Sequence, residues 1–443
     1  MPMRRLLASV VLTAAALQAQ AQEDAGPTTA APPDLEAATA GGQSLTATVT
    51  QGFTVDTNLG LDDPSPGTSY YADTGLLLGF QTQTQVQSFE FALDTGLRAL
   101  KEADEDFELT FASPTGAALD YGYDWANGGI DTSLRYRQRD LDAASTALIV
   151  EDDDDPEVDD TDEVEDATER RYDVGVSLAL ATQSPSSYAL NFAGTQFDYT
   201  GDAAEARERR TLEGDALWRL QLTPVIAGTL GAAYSDFQAE NRRETEIREA
   251  EIDVGVIYEP SEVLQASFGI GYARYERDEL GEDEDREDSG LVLRGGLRYA
   301  FEDVTLVGTA RLTNAAPETR LSGDVRASYP LPNGTLTGRV FRSFGGGVEG
   351  DEIQVTGATI GLDHEINTVS GVGFDVALAR RENLDADEPD SDRLSFTAAY
   401  SHDLTEAVSA SLGYRFSAEE EDPDSATSNA VFFEIGRTFE TRP

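Results

Sequence analysis

Ionisable side chains set against apolar ones at every second position are the chemical signature of this sequence. Between 88 and 98, Phe89, Phe91, Leu93 and Leu97 fall on one parity, and Glu90, Asp94 and Arg98 on the other. The same alternation puts Asp131, Arg135, Arg137, Arg139, Asp173, Asp215 and Arg219 on the polar parity of the first half. In the second half it adds Glu251, Asp253, Arg294, Arg298, Arg311, Asp324, Arg326, Arg339, Asp375, Arg381, Arg393 and Arg415. Residues i and i+2 of a strand share a face, so these groups form a wet face backing a dry one. Arg135, Arg137 and Arg139 on one segment, with Arg294 and Arg298 on another, make the best candidate basic track. A guanidinium fork meets carboxylate or phosphate oxygens two at a time, which suits acidic saccharides or small organic anions. Around an aqueous lumen, rings of Arg and carboxylate would order water and select solutes by charge and size. The plainer alternative is a set of ladders that only stiffen a wall.

The elements that must hold these groups are strands. From Leu45 onward some twenty segments of about ten residues alternate apolar and polar positions, the length a tilted strand needs to cross a bilayer. The last of them closes the pattern. In 429–439, Val431, Phe433, Ile435 and Phe439 share a face, and Phe439 lies close to the end of the chain. A terminal strand ending on an aromatic, here Phe433, Ile435 and Phe439, looks like the C-terminal signal of outer-membrane barrels. Connections alternate in kind. Short ones carry turn formers such as Pro332-Asn333-Gly334, and long acidic ones run over 62–70, 101–106, 151–166, 201–208, 277–288, 382–392 and 419–424. Two kinds of turn imply a sheet whose ends face different environments, with short periplasmic turns and long external loops. The expected fold is all-β: one transmembrane antiparallel up-and-down barrel of about 18–20 strands, in residues 44–443. Tyr121, Tyr123, Tyr258, Tyr272, Tyr299, Tyr329, Tyr400 and Phe439 would form the interfacial girdles.

The remaining features bound the class. Residues 1–21 read as an export signal, with Arg4 and Arg5, an apolar run from Leu6 to Leu17, and Ala19-Gln20-Ala21 for cleavage. Residues 22–43 read as a flexible periplasmic lead-in rich in Ala, Pro and Thr. There are no cysteines, which excludes disulfides and thiolate metal sites. A formal net charge of −51 argues against nucleic acid as a partner, since phosphate binding needs a basic face. The expected partners are outer-membrane lipid, the barrel-assembly machinery, and a small solute or saccharide.

Cofactor and enzyme readings find little support. The acidic runs 151–166 and 281–288 lack the spacing and the turn glycine of calcium loops. They suit diffuse screening by divalent cations, with no formed metal site and no cofactor. The two histidines, His364 and His402, lie beside expected periplasmic turns with no nucleophile and orienting acid in pattern. Gly269-Ile270-Gly271 and Gly371-Val372-Gly373 sit in strands without a following helix, so neither cradles a nucleotide.

The stretches 49–58 (Val-Thr-Gln-Gly-Phe-Thr-Val-Asp-Thr-Asn), 74–80 and 88–94 resemble the β-barrel porin type 2 family of proteobacterial outer membranes. The resemblance is one of strand pattern over most of 44–439. It implies a bacterial outer-membrane barrel of unassigned cargo, some relatives being associated with exopolysaccharide export. The polar inward face adds the functional expectation, a porin-like channel for passive passage of small hydrophilic solutes or saccharides. The alternative it leaves open is a non-conducting surface barrel associated with exopolysaccharide export.

Overall fold

The computed structural model describes residues 42–441, except 62–63, 104–105, 112–114, 141–166, 202–207, 241–244, 279–285, 302, 316–318, 347–351, 385–389 and 422–423. The expected export signal, all of the lead-in before Gly42 and the acidic run 151–166 lie outside the described residues.

Every described element is a strand, turn or loop. The wall opens with β1 (Gln43–Asp56), β2 (Ser69–Gln83), β3 (Gln87–Lys101), β4 (Glu108–Phe111), β5 (Thr115–Trp125), β6 (Gly128–Asp140) and β7 (Ala167–Leu180). It continues through β8 (Ser186–Gly201), β9 (Glu208–Thr223), β10 (Ile226–Glu240), β11 (Thr245–Ser261), β12 (Leu264–Asp278), β13 (Arg286–Phe301) and β14 (Val304–Thr313). It finishes with β15 (Arg320–Leu331), β16 (Gly334–Gly346), β17 (Glu352–Asn367), β18 (Ser370–Asn383), β19 (Ser391–Thr405), β20 (Val408–Glu421) and β21 (Asp424–Thr441). Apart from β4 and β5, each strand pairs antiparallel with its sequence neighbours, and β21 pairs with β1, so the sheet closes on itself. β4 and β5 both pair with β3 and share one place in the wall, which leaves a closed barrel of twenty positions.

Alternation explains which side each residue takes. On β1, Leu45, Val49 and Phe53 are exposed on the outer face, while Thr46, Thr48 and Thr54 point inward and are buried. The closing register sets Phe53 opposite Phe433, Gln51 opposite Ile435 and Ala47 opposite Phe439, so all three terminal-signal residues face outward. Closure satisfies every backbone group of the wall internally, which is what lets a sheet cross hydrocarbon. Tyr121, Tyr123, Tyr258, Tyr299, Tyr329, Tyr400 and Phe439 stand on the outer face toward one end, and Tyr272 toward the other.

The turns at the end holding the termini share one device. Thr223, Asn367 and Thr405 each end a strand, Thr84 directly follows one, and each accepts, through the side chain, the amide of the residue two places on. Such local bonds replace ladder partners and reverse the chain within two or three residues. At the opposite end, the β1–β2 connection ties the closing seam. The Thr57 amide donates to the Asn429 carbonyl at 3.1 Å, the Asn58 side chain donates to the Thr427 carbonyl at 3.3 Å, and Leu59 packs on Tyr71 and Leu100.

The strands run further than the ten-residue segments read from the sequence. The stretch 419–424, expected as a long external loop, is ladder almost throughout, because the Arg393 guanidinium donates to Glu419 at 2.6 Å and zips the strand ends. β11 likewise spans 17 residues, with charged 246–251 ahead of its apolar alternation from Ile252. In both places cross-strand ion pairs continue the sheet where hydropathy alone suggested a loop.

Candidate functional site

The ladder registers assign a face to every ionisable residue on the wall. Glu90, Asp94, Arg98, Asp131, Arg135, Arg137, Arg139, Asp173, Arg219, Arg294, Arg298, Arg311, Arg326, Arg339 and Arg415 all take the parity opposite the exposed apolar residues, and so face the lumen. The two halves of the expected basic track are not neighbours. Arg135, Arg137 and Arg139 lie on β6, Arg294 and Arg298 on β13, and six strands separate them.

Each half has its own partners instead. The Arg139 guanidinium donates to Glu169 at 2.7 and 3.1 Å, and Glu169 also accepts the Tyr199 hydroxyl at 2.9 Å. Arg135 comes within 3.6 Å of Asp120, and Asp173 accepts from Arg171 and from the Thr195 hydroxyl, both at 2.9 Å. Arg137 is exposed to the lumen between them.

The β13 half belongs to a longer basic wall. Arg294, Arg298, Arg311, Arg326 and Arg339 cover β13 to β16, with Asp324 between Arg326 (2.8 Å) and Arg339 (2.5 Å). Beside it, β9 and β11 carry Glu213, Asp215, Glu249, Glu251 and Asp253 facing inward. β12 separates the two walls and turns only Gly269, Gly271 and Ala273 inward at this level. That absence of bulk lets arginines reach over it. Arg294 donates to Glu251 at 2.7 Å, and Arg311, one strand further, donates to Glu251 at 3.0 Å and to Glu249. The arch buries Ala273 and Val292 completely. Gly271 has no alternative, since a Cβ there would lie 2.8 Å from the Ile252 carbonyl oxygen.

Toward the end away from the termini, the expected external end, the inward face changes character. Arg98 donates twice to Asp73 (2.8 and 3.2 Å) and lies 4.3 Å over the Tyr71 ring. Arg209 and Arg171 lie 4.1 and 5.1 Å over Phe197, and Arg320 lies 5.4 Å over Tyr275. Tyr71, Arg98, Phe197, Tyr199, Tyr275 and Arg393 are all buried. This collar of stacked arginine and aromatic side chains was missed in the sequence. Its signal is aromatics on the polar parity at Tyr71, Phe197, Tyr199 and Tyr275.

At the other end of the lumen Arg219 pairs with Glu259 at 2.7 Å, while Asp131, Arg298, Glu365 and Asp403 face inward and are exposed. The histidines lie on the outer face. His402 Nδ1 is 2.7 Å from the Ser370 hydroxyl, which accepts from Tyr400 at 3.2 Å. Ser370 is buried, and no carboxylate bonds the His402 ring among the described residues. Nor, among those residues, does any group of three or more His, Asp and Glu side chains sit close enough to hold a metal ion.

No protein-family model matches the chain, so the porin type 2 resemblance rests on strand pattern alone. No curated protein matches it either. Solved structures do match. The FrpB iron transporter from Neisseria meningitidis (F3-3 variant) aligns with TM-score 0.50 and 8% identity, over 90% of this chain and 82% of that one. The F5-1 variant gives TM-score 0.50 and 8% identity over 90% and 83%. The copper transporter OprC gives 0.48 and 9% over 90% and 81%. At such identities the likeness is one of fold. A closed barrel with an apolar outer band is an outer-membrane β-barrel, and this chain is one.

Proposed function

We propose that the barrel is an outer-membrane channel for passive passage of small hydrophilic solutes or saccharides. The observation that carries this reading is the exposure of charged side chains on the inward face, at Asp131, Arg137, Arg298 and Asp403. Ionised groups left uncovered there need water around them. Barrel diameter grows with strand number, and about 16–18 strands already leave an aqueous channel in porins. Twenty positions therefore enclose more space than wall side chains can fill. Adjoining acidic and basic walls on β9–β11 and β13–β16 would impose a lateral field on whatever crosses. Transport is also the activity named for the FrpB structures whose fold the chain shares.

The collar, which braces the wall, favours a second reading, a non-conducting structural or surface-interaction barrel associated with exopolysaccharide export. Single-channel recording across a planar bilayer decides between them. The channel reading expects stable current steps whose ion preference moves toward cations when Arg137 and Arg298 are changed to Gln. A folded, inserted protein giving no steps would overturn it.

A further inference from the structure

We propose that the outer face of the barrel, at its external end, holds a phosphate-bearing lipid of the outer leaflet, with the best-formed site on β5 to β9. The first observation is a ring of arginines on the outward parity. On four strands the outward position directly beyond the strand's last apolar residue is arginine: Arg170 after Tyr172, Arg210 after Leu212, Arg274 after Tyr272 and Arg380 after Leu378; on β16, Arg342 takes the outward position between Val340 and Phe344. On the neighbouring β11, Arg248 follows Ala250, and Ala250 opposes Arg274. The registers confirm the face, since Tyr172 opposes Tyr136 and Arg170 opposes Gln138.

The ring exists at one end only. At the periplasmic end the outward positions are Thr, Ser, Gln, Gly, His and apolar or aromatic residues, and the sole arginine or lysine on the described strands is Arg437, drawn over the Phe439 ring at 4.6 Å. Guanidinium groups just past the hydrocarbon, on one leaflet, complement anionic headgroups of that leaflet. Three of the six are already held by carboxylates, as in Arg274 with Glu287 (3.1 Å) and Arg380 with Asp390 (2.9 Å). Arg210 and Arg342 instead donate to the neutral Gln238 and Thr356, both at 2.9 Å, and have no carboxylate paired with them among the described residues. Asp198, which faces outward on the intervening β8, is held by the Gln196 amide at 2.7 Å.

The second observation lies directly below Arg210. A groove of about 450 Å³ runs down the wall, lined by Leu134, Tyr136, Tyr172, Val174 and Leu212, with Arg210 at its top. It exists because Gly194 brings no side chain; a Cβ there would sit 3.1 Å from Leu212 and 3.2 Å from Val174. An apolar slot on a lipid-facing surface, capped by a guanidinium at headgroup level, fits one acyl chain beneath a phosphate.

The test is native mass spectrometry of delipidated protein in detergent, offered diphosphoryl lipid A, the same lipid with its phosphates removed, or inorganic phosphate. The unaltered protein should retain the diphosphorylated lipid about tenfold better than the dephosphorylated one, the worth of losing a charge-assisted contact. The double variant Arg170→Gln/Arg210→Gln should lose that preference, and Gly194→Leu should lose retention of both lipids. The lumen variant Arg298→Gln should behave as the unaltered protein. Equal retention of the two lipids by the unaltered protein would overturn the proposal, and that arm needs no variant to fold. So would undiminished retention by the double variant, or inorganic phosphate displacing the lipid as well as a second lipid does. None of these outcomes depends on whether the barrel conducts.

Discussion

At the mouth away from the termini, expected to be external, the inward positions carry Tyr71, Arg98, Phe197, Tyr199, Tyr275 and Arg393, all buried, while at the opposite end, expected to be periplasmic, the same parity carries exposed Asp131, Arg298, Glu365 and Asp403. Backbone and ladder are the same at both ends. What differs is whether a charged group finds a carboxylate and a ring on the neighbouring strands. Where it does, guanidinium planes stack, hydrogen bonds are doubled and the strands are cross-braced. Where it does not, the charge stays in water and braces nothing. The mouth is therefore the more heavily braced end of the lumen, and the exposed charges lie toward the end that holds the termini.

β21 crosses both regions, with buried Phe432 facing inward toward the mouth and Thr438 facing inward near the other end. Deleting 431–443 removes the partner of both β1 and β20 and should leave no folded barrel in the outer-membrane fraction, the largest effect expected. Normal amounts would break the closure argument at both ends together. Next comes Glu169→Ala in the collar. It strips the counter-charge from Arg139 and the acceptor from Tyr199, and should cost about 3–5 kcal/mol. The readout is the temperature at which the heat-modifiable folded band converts on a gel. The arch between the walls should be less sensitive. Ala273→Leu adds bulk where Ala273 and Val292 have no exposure, and overpacking of this kind costs about 1–3 kcal/mol. The same variant should lift Arg294 off Glu251 and alter ion preference if the lumen conducts.

The alternation that built the fold was plain in the sequence, because a strand with one face in lipid must alternate and closure leaves a terminal aromatic strand. Its inward residues could be named for the same reason. Partners could not. Arg135 and Arg294 look equivalent along the chain, yet six strands divide them, and only the register shows that Glu251 is within reach across a strand of glycine and alanine. The rim arginines were passed over because hydropathy stops where the apolar run stops, although Tyr172 to Arg170 and Tyr272 to Arg274 keep the parity. The extra length of β11 and β20 had no hydrophobic signal, since ion pairs such as Arg393 with Glu419 extend the ladder there.

The smallest effect on stability and the sharpest test of the two-region comparison come from one residue, Arg298. It faces the lumen near the periplasmic end of β13, exposed, opposite Gln265 on β12 and Val307 on β14. Neither neighbour offers a charge, so nothing of the wall is lost when the guanidinium goes. Arg298→Gln should change the unfolding temperature no more than an ordinary surface substitution, within about 0.5 kcal/mol. Arg98→Gln, which removes an equal charge but also the Asp73 fork and the Tyr71 stack, should cost several times as much. In current recordings the order should reverse. A positive group in open water acts on passing ions directly, whereas one neutralised by Asp73 and buried does not, so Arg298→Gln should shift ion preference and Arg98→Gln should leave it. Equal destabilisation by the two variants would mean that the periplasmic end is braced as firmly as the mouth.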